Sequence, residues 1–135
     1  MKKTFFALLK NKLVRWKLVN IRKKELNLEI KTYRPRKPEG RQRLLSEKLQ
    51  EEVDEYGFAD TPDEELLESV DISTVLDSIK LYGVSVDPDL LEIAKAMVEH
   101  HQQNPRFAEI KIQKAKEKGD FSKLVVIVSE KKKGH

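Results

Sequence analysis

Basic and aromatic side chains concentrate in the first third of this 135-residue chain. Residues 1–43 carry fifteen Lys and Arg against three Asp and Glu, and they include Trp16 and Tyr33. This pattern suits single-stranded nucleic acid, because cations contact the phosphates while aromatic rings stack on the bases. We therefore expect a nucleic-acid-binding surface made of Arg15, Trp16, Lys17, Arg22, Lys23, Lys24, Tyr33, Arg34, Arg36, Lys37, Arg41 and Arg43.

The charge distribution also supports a second hypothesis of a different class. Residues 44–105 carry three basic and sixteen acidic side chains, whereas residues 106–135 carry nine basic and four acidic ones. Oppositely charged segments attract each other within one molecule or between molecules. The alternative function is therefore a protein–protein assembly or adaptor module, such as a phage or mobile-element structural component. Its acidic residues 44–104 would contact a partner protein or a second copy of the chain.

Two acidic clusters in the middle segment contain the residue types that bind metals or transfer protons. The first cluster is Glu51, Glu52, Asp54 and Glu55, and the second covers residues 63–65. The first alternates with apolar positions on a face that we expect to be exposed to solvent. The second falls in a first helical turn, where negative charge is favourable anyway. We therefore expect no metal site.

The chain lacks the usual signatures of an enzyme. Its five glycines, at positions 40, 57, 83, 119 and 134, are too far apart for a phosphate-binding loop. There is no cysteine, which excludes thiolate nucleophiles and thiolate metal sites. His100 and His101 have no metal-binding residue type three or four positions upstream. We expect a non-enzymatic accessory protein with no catalytic residues and no cofactor.

The N-terminal region favours strands. Residues 13–21 are rich in β-branched and aromatic side chains, and residues 26–33 alternate between apolar and polar types. Together they predict a β-hairpin within residues 1–34. Residues 3–22 also fit a basic amphipathic helix, which would allow peripheral binding to an anionic membrane. Residues 35–43 contain two prolines and a glycine and predict a basic linker.

The acidic middle is predicted to be helical. Apolar residues recur at helical spacing over residues 44–104, and Thr61-Pro62 and Asp87-Pro88 are typical helix starts. Residues 108–113 return to alternation, and Leu124–Val128 is a continuous apolar run. These two segments predict a C-terminal hairpin over residues 106–129, followed by a basic tail over residues 130–135.

These elements predict the fold class. We expect an α+β protein with one small domain over residues 1–135, in which the two terminal hairpins form one sheet. Three to four helices would cover one face of that sheet. No apolar run approaches the roughly eighteen residues of a membrane span, so we expect no integral membrane segment and a cytoplasmic location.

Overall fold

A computed structural model of the protein describes residues 7–134. This part of the chain contains three strands and five helices, and 61% of it is helical. In chain order they are β1 (Lys10–Val14), α1 (Leu18–Glu25), β2 (Leu28–Tyr33), α2 (Pro38–Gly57), α3 (Pro62–Tyr82), α4 (Pro88–Gln102), α5 (Pro105–Lys118) and β3 (Val125–Lys132). The predicted α+β class and the single small domain are confirmed.

The sheet joins the two ends of the described chain. Its strand order is β1-β3-β2, and β3 is antiparallel to both neighbours. The predicted N-terminal hairpin is wrong, because β1 and β2 each pair with β3 and α1 lies between them in the chain. Arg22, Lys23 and Lys24, which lie between the two segments expected to pair, occupy the last turn of α1. Positive charge is favourable there because it faces the negative end of the helix dipole.

Helices cover both faces of the sheet, whereas only one covered face was expected. Leu13 and Val126 face the main core, where they pack with residues of α2 and α3 such as Leu45 and Val75. On the opposite face, Val14, Val125 and Ile127 pack against Val19 of α1. The continuous apolar run of β3 is therefore explained, since a strand covered on both faces needs apolar side chains on both.

A β-bulge in β3 changes which face its last residues point to. Thr32 pairs with Ile127, but Lys31 pairs with Ser129, so Val128 is an extra residue in the ladder. Beyond the bulge, Glu130 lies on the α1 side of the sheet. There Arg22 donates two hydrogen bonds to its carboxylate, at 2.6 and 2.7 Å.

The Glu130 side chain is fully buried. Burial alone would raise its pKa, but the Arg22 hydrogen bonds and the Leu9 N–H lower the pKa below its ordinary value. Glu130 is therefore a buried carboxylate that depends on one arginine for its charge.

The predicted starts of α3 and α4 are confirmed. The Thr61 hydroxyl accepts a hydrogen bond from the Glu64 N–H at 3.1 Å, and Asp87 accepts one from the Leu90 N–H at 3.0 Å. Each satisfies an N–H group that the first helical turn leaves without a partner. Helix α3 is the centre of the main core, where Val70, Ile72 and Val75 are completely buried.

The predicted C-terminal hairpin is wrong, because residues 105–118 form α5 and β3 is the only strand after it in the described chain. Helix α4 ends at Gln102, just before Asn104-Pro105, and the same pair begins α5. The Asn104 side chain accepts a hydrogen bond from the Arg106 N–H at 3.0 Å. An Asn-Pro pair can separate two helices, because it breaks the preceding helix while its asparagine caps the next one and its proline occupies the first helical position.

Three further boundaries differ from expectation. Helix α2 begins at Pro38, so the predicted linker over residues 35–43 is mostly helical, and β3 extends into the predicted basic tail. The alternative prediction of an amphipathic helix over residues 3–22 is wrong for Lys10–Val14, which form β1. Residues 3–6 of that segment lie outside the described chain. The hypothesis of peripheral binding to an anionic membrane depended on that helix, and residues 7–134 give it no support. None of the helices in residues 7–134 has the length and apolar character that a bilayer-spanning segment requires.

The buried ion pair between Arg22 and Glu130 gives a test of this fold. Replacing Arg22 by alanine leaves a buried carboxylate without its partner, so we expect Arg22→Ala to lower the free energy of unfolding by about 3–5 kcal/mol. Urea unfolding followed by circular dichroism measures this. As a control, Arg43→Ala removes an exposed arginine that pairs with Glu47, and its effect should stay below about 0.5 kcal/mol. Equal losses in the two variants would contradict the described packing of α1.

Candidate functional site

Helices α2 and α3 bring five carboxylates together at their interface. Glu51, Glu52 and Glu55 come from α2, whereas Glu68 and Asp71 come from α3. Carboxylate oxygens of Glu52, Glu68 and Asp71 lie within 4.8 Å of one another, and so do those of the three α2 residues. We call these five residues the acidic cluster. Each helix contributes residues three positions apart, which places them on one helical face.

The local sequence explains why this face is turned inward. Glu52 follows Leu49 by three positions and precedes Val53 directly, so it lies on the stripe that packs against α3. Only 6% of Glu52 is exposed. The prediction of a solvated face is therefore wrong for Glu52, although Glu55 at the rim is exposed.

Two oxygens of the acidic cluster have no hydrogen-bond partner in the described chain. They are Oε2 of Glu52 and Oε2 of Glu68, and both are buried. Burial raises the pKa of Glu52 to about 8, with Lys48 opposing the shift and Asp71 adding to it. Burial and the neighbouring carboxylates likewise raise the pKa of Glu68 to about 7. A buried carboxylate without a partner is costly, so this pair favours either protons or a cation.

Basic side chains lie next to the acidic cluster and pair with two of its carboxylates. The guanidinium of Arg15, at the end of β1, and the amine of Lys114, on α5, both bind Oδ1 of Asp71, at 2.7 and 2.5 Å. Lys48 lies 3.5 Å from Oε1 of Glu52. Arg15 also donates a hydrogen bond to the carbonyl of Gly119 at 2.9 Å. The acidic cluster is thus held between three cations from three different elements.

A cavity of about 190 Å³ opens between these acidic and basic groups. Its polar lining residues are either carboxylates or cations. They are Arg15, Lys48, Glu52, Asp71, Lys114 and Lys118, with Val14, Leu18 and Phe121 as apolar neighbours. We call this space the charged cavity. It offers oxygen ligands for a metal ion and positive charge for an anion at the same place.

A second concave surface lies where β2 leads into α2. It has a volume of about 250 Å³ and is lined by the residues that we call the basic groove: Arg34, Pro35, Arg36, Arg41, Tyr82, Ser122, Lys123 and Leu124. Among residues 7–134, no acidic side chain lines it.

The twelve residues expected to bind nucleic acid do not form one surface. Arg15 is buried and Arg22 is partly buried, and both form ion pairs within the fold. Trp16 is half-buried, and Lys17 lies 5.2 Å from its ring centroid. Five further residues are exposed and lie on different elements. They are Lys23 and Lys24 on α1, Tyr33 on β2, Lys37 directly before α2, and Arg43 within α2. The basic groove brings together Arg34, Arg36 and Arg41.

Sequence reasoning missed Glu68, Asp71, Lys114 and Lys118 altogether. A signal for the carboxylates was present, because Glu52 and Glu55 on α2 repeat the spacing of Glu68 and Asp71 on α3. This spacing places each pair on one face of its own helix, but whether the two faces meet depends on how α2 packs against α3. The lysines had no such signal, since α5 was predicted to be a strand.

The raised pKa values predict how stability depends on pH. Glu52 has an ordinary pKa of 4.5 that rises to about 8 in the fold, so between these values the folded state holds a proton that the unfolded state has lost. Its contribution to the free energy of unfolding is full below about pH 4.5 and is lost as pH rises to about 8. We expect Glu52→Gln to gain stability relative to the parent between pH 5 and 8, in urea unfolding with EDTA present.

A matched control is Glu92→Gln, which neutralises an exposed carboxylate on α4. Its stability should follow the pH dependence of the parent protein. If Glu52→Gln and Glu92→Gln behave alike across this range, Glu52 is not the buried proton-binding group described.

Comparisons with known proteins return no relative. No protein-family model matches the chain, and no curated protein or solved structure matches it either. The function must therefore be argued from the acidic cluster, the charged cavity and the basic groove.

Proposed function

We propose that the protein binds a divalent cation in the acidic cluster and uses it to bind and hydrolyse a small phosphorylated molecule in the charged cavity. The observation that carries this proposal is the meeting of two carboxylate pairs, Glu52 with Glu55 and Glu68 with Asp71, beside a cavity lined by cations. Neither group alone would suggest this chemistry.

The acidic cluster has the ligands that a hard cation prefers. Mg²⁺ and Mn²⁺ bind carboxylate oxygens, and Mg²⁺ typically takes one or two carboxylates while phosphate oxygens and water complete its shell. The unpartnered oxygens of Glu52 and Glu68 are available for this role. A bound cation would favour the charged form of both carboxylates, which burial otherwise disfavours.

The cations of the charged cavity support a phosphorylated ligand. Arg15 and Lys114 already bind Asp71, so their charges are partly neutralised. Lys118 lines the same cavity and makes no ion pair within residues 7–134. A phosphate group bridging the metal ion and Lys118 would bring opposite charges into contact on both sides. Metal ions and basic side chains hold transferring phosphoryl groups in this way in other proteins.

The arrangement also suits hydrolysis of a phosphoanhydride. Glu52, Glu68 and Asp71 would hold the divalent cation, which would supply polarisation of the phosphoryl oxygens and a lowered pKa for a bound water. The water oxygen adds to phosphorus, the bond from phosphorus to the bridging oxygen breaks, and the leaving phosphate takes the electron pair. The proton released by the water passes to a carboxylate of the acidic cluster and then to solvent. The lysines stabilise the negative charge that develops on the leaving group.

This proposal differs from the non-enzymatic function expected from the sequence. That expectation depended on the acidic residues lying on solvated faces, and Glu52 does not. Nucleic-acid binding and assembly through complementary charge both stay predictions. The cytoplasm stays the predicted location, since a chain without cysteine is compatible with a reducing compartment.

Metal binding and hydrolysis can be measured separately. We expect saturable binding of Mn²⁺ by electron paramagnetic resonance, with at least a roughly tenfold loss of affinity in Glu68→Gln. Nucleoside triphosphates, which contain phosphoanhydride bonds, are the substrate probes. Release of phosphate or pyrophosphate should require Mg²⁺ and fall by about 10²-fold or more in the same variant.

The control for both measurements is Glu92→Gln, which changes charge equally but lies outside the acidic cluster. It should bind Mn²⁺ and turn over substrate as the parent does. Absence of saturable Mn²⁺ binding at millimolar concentrations would contradict the proposal, as would hydrolysis that continues unchanged in EDTA.

Lys118→Ala tests the phosphate side of the site. Lys118 lines the charged cavity but makes no ion pair with the acidic cluster within residues 7–134. Its loss should therefore weaken substrate binding about tenfold and leave Mn²⁺ affinity unchanged. Steady-state kinetics and Mn²⁺ titration give the two values. A parallel loss of Mn²⁺ affinity would mean that Lys118 acts on the metal site rather than on the phosphate.

A further inference from the structure

The basic groove is held in shape by contacts that do not use its outer charges. Arg41 donates a hydrogen bond from Nε to the carbonyl of Pro35 at 3.1 Å, and its guanidinium carbon lies 4.9 Å from the ring centroid of Tyr82. The Tyr82 hydroxyl donates to the carbonyl of Ser122 at 2.5 Å. Pro35 is itself buried. These contacts connect the start of α2, the end of α3 and the segment before β3 into one rigid wall.

The charges at the rim of the groove are not neutralised within the described chain. Arg34, Arg36 and Lys123 are exposed, and within residues 7–134 no carboxylate lies within 4.0 Å of their charged nitrogens. By contrast, Arg15, Arg22 and Lys114 are paired with carboxylates. Cations that the fold leaves unpaired beside a concave surface are suited to an external anion.

Two aromatic residues, Trp16 and Tyr33, neighbour residues of the groove. The amine of Lys123 lies 4.4 Å from the ring centroid of Trp16, so the tryptophan lies beside the groove. Tyr33, which directly precedes Arg34, is 43% exposed. Exposed or half-buried rings next to unpaired cations can stack on unpaired bases while the cations contact successive phosphates. Bases inside a duplex are already stacked and would not be accessible to these rings.

We propose that the basic groove binds the backbone of single-stranded nucleic acid, with Arg34, Arg36, Arg41 and Lys123 contacting phosphates and Trp16 or Tyr33 contacting a base. This site is separate from the charged cavity, and the proposal does not rest on the metal-dependent function. It reduces the surface expected from the sequence to one end of the sheet and adds Lys123, which that expectation did not include.

The affinity of such a site has a defined salt dependence. Four phosphate contacts on a single strand give a slope of about −2.8 in a plot of log affinity against log salt, since each contact contributes about −0.7. Affinity should therefore fall about fiftyfold between 50 and 200 mM salt. Removing two contacts should reduce this to about sevenfold.

The experiment compares the parent with two variants that lose the same charge. One is Arg34→Ala with Arg36→Ala in the groove, and the other is Lys23→Ala with Lys24→Ala in the last turn of α1. Helix α1 leads into the start of β2, whereas the groove follows its end. The six-residue β2 separates the two sites by roughly 20 Å.

Binding is measured by fluorescence anisotropy of a labelled oligothymidylate of about twelve nucleotides. All titrations contain EDTA, so that the proposed metal site contributes nothing and the failure of one proposal does not affect the other. Fluorescence of Trp16, the only tryptophan, reports whether the ligand lies beside the groove. Circular dichroism establishes that both variants are folded.

We expect the groove variant to lose most of the affinity and about half of the salt slope, while the α1 variant keeps both. Saturable quenching of Trp16 should accompany binding to the parent. Equal losses in the two variants would overturn the proposal, because binding would then follow net charge alone. Absence of binding at 50 mM salt, or tighter binding to a duplex of the same length, would also overturn it.

Discussion

A strand in the middle of a sheet needs hydrogen-bond partners along both edges, and β3 finds them in β1 and β2 from the other end of the chain. This pairing depends on where the chain enters β3. The N–H groups of Trp16 and Lys17 donate to the carbonyls of Asp120 and Lys118, at 3.2 and 3.0 Å, and so join the end of β1 to the end of α5. Both apolar clusters include residues of β3, and neither would close without it.

The close approach at this junction explains a glycine. Gly119 has a φ of 81°, and a Cβ added there would lie 2.9 Å from the Trp16 side chain. Only glycine adopts this backbone geometry without strain and leaves room for the indole. Because the Gly119 carbonyl also accepts a hydrogen bond from Arg15, the same junction positions the guanidinium that binds Asp71. The geometry of the sheet and the charged cavity are therefore linked through one turn.

The separation of charge along the chain has a partly structural role. Lys12 of β1 pairs with Glu51, and Arg15, directly after β1, pairs with Asp71, so the basic and acidic segments attract each other within one molecule. The pairing is incomplete at two places. Within residues 7–134, two buried acidic oxygens have no hydrogen-bond partner between α2 and α3, and exposed basic side chains around the groove make no ion pair. A buried group left unsatisfied in a native fold calls for an explanation, and a bound cation is the one that we propose for the acidic oxygens. The groove cations are exposed to solvent, and for them we propose nucleic acid as the external partner.

Local patterns of apolar residues and helix caps encode the fold class, the starts of α3 and α4, and the strands that contain Ile30 and Val126, so these features could be predicted. Three other features depend on long-range packing: the position of β3 between β1 and β2, the helix over residues 105–118, and the burial of Glu52 against Glu68. Period-two alternation over a few residues does not distinguish a strand from a helix that packs only Phe107 deeply. Carboxylates on different helices, or an arginine and a lysine 89 positions apart in the chain such as Arg34 and Lys123, meet only after the core has packed, since the contacts that bring them together are non-local.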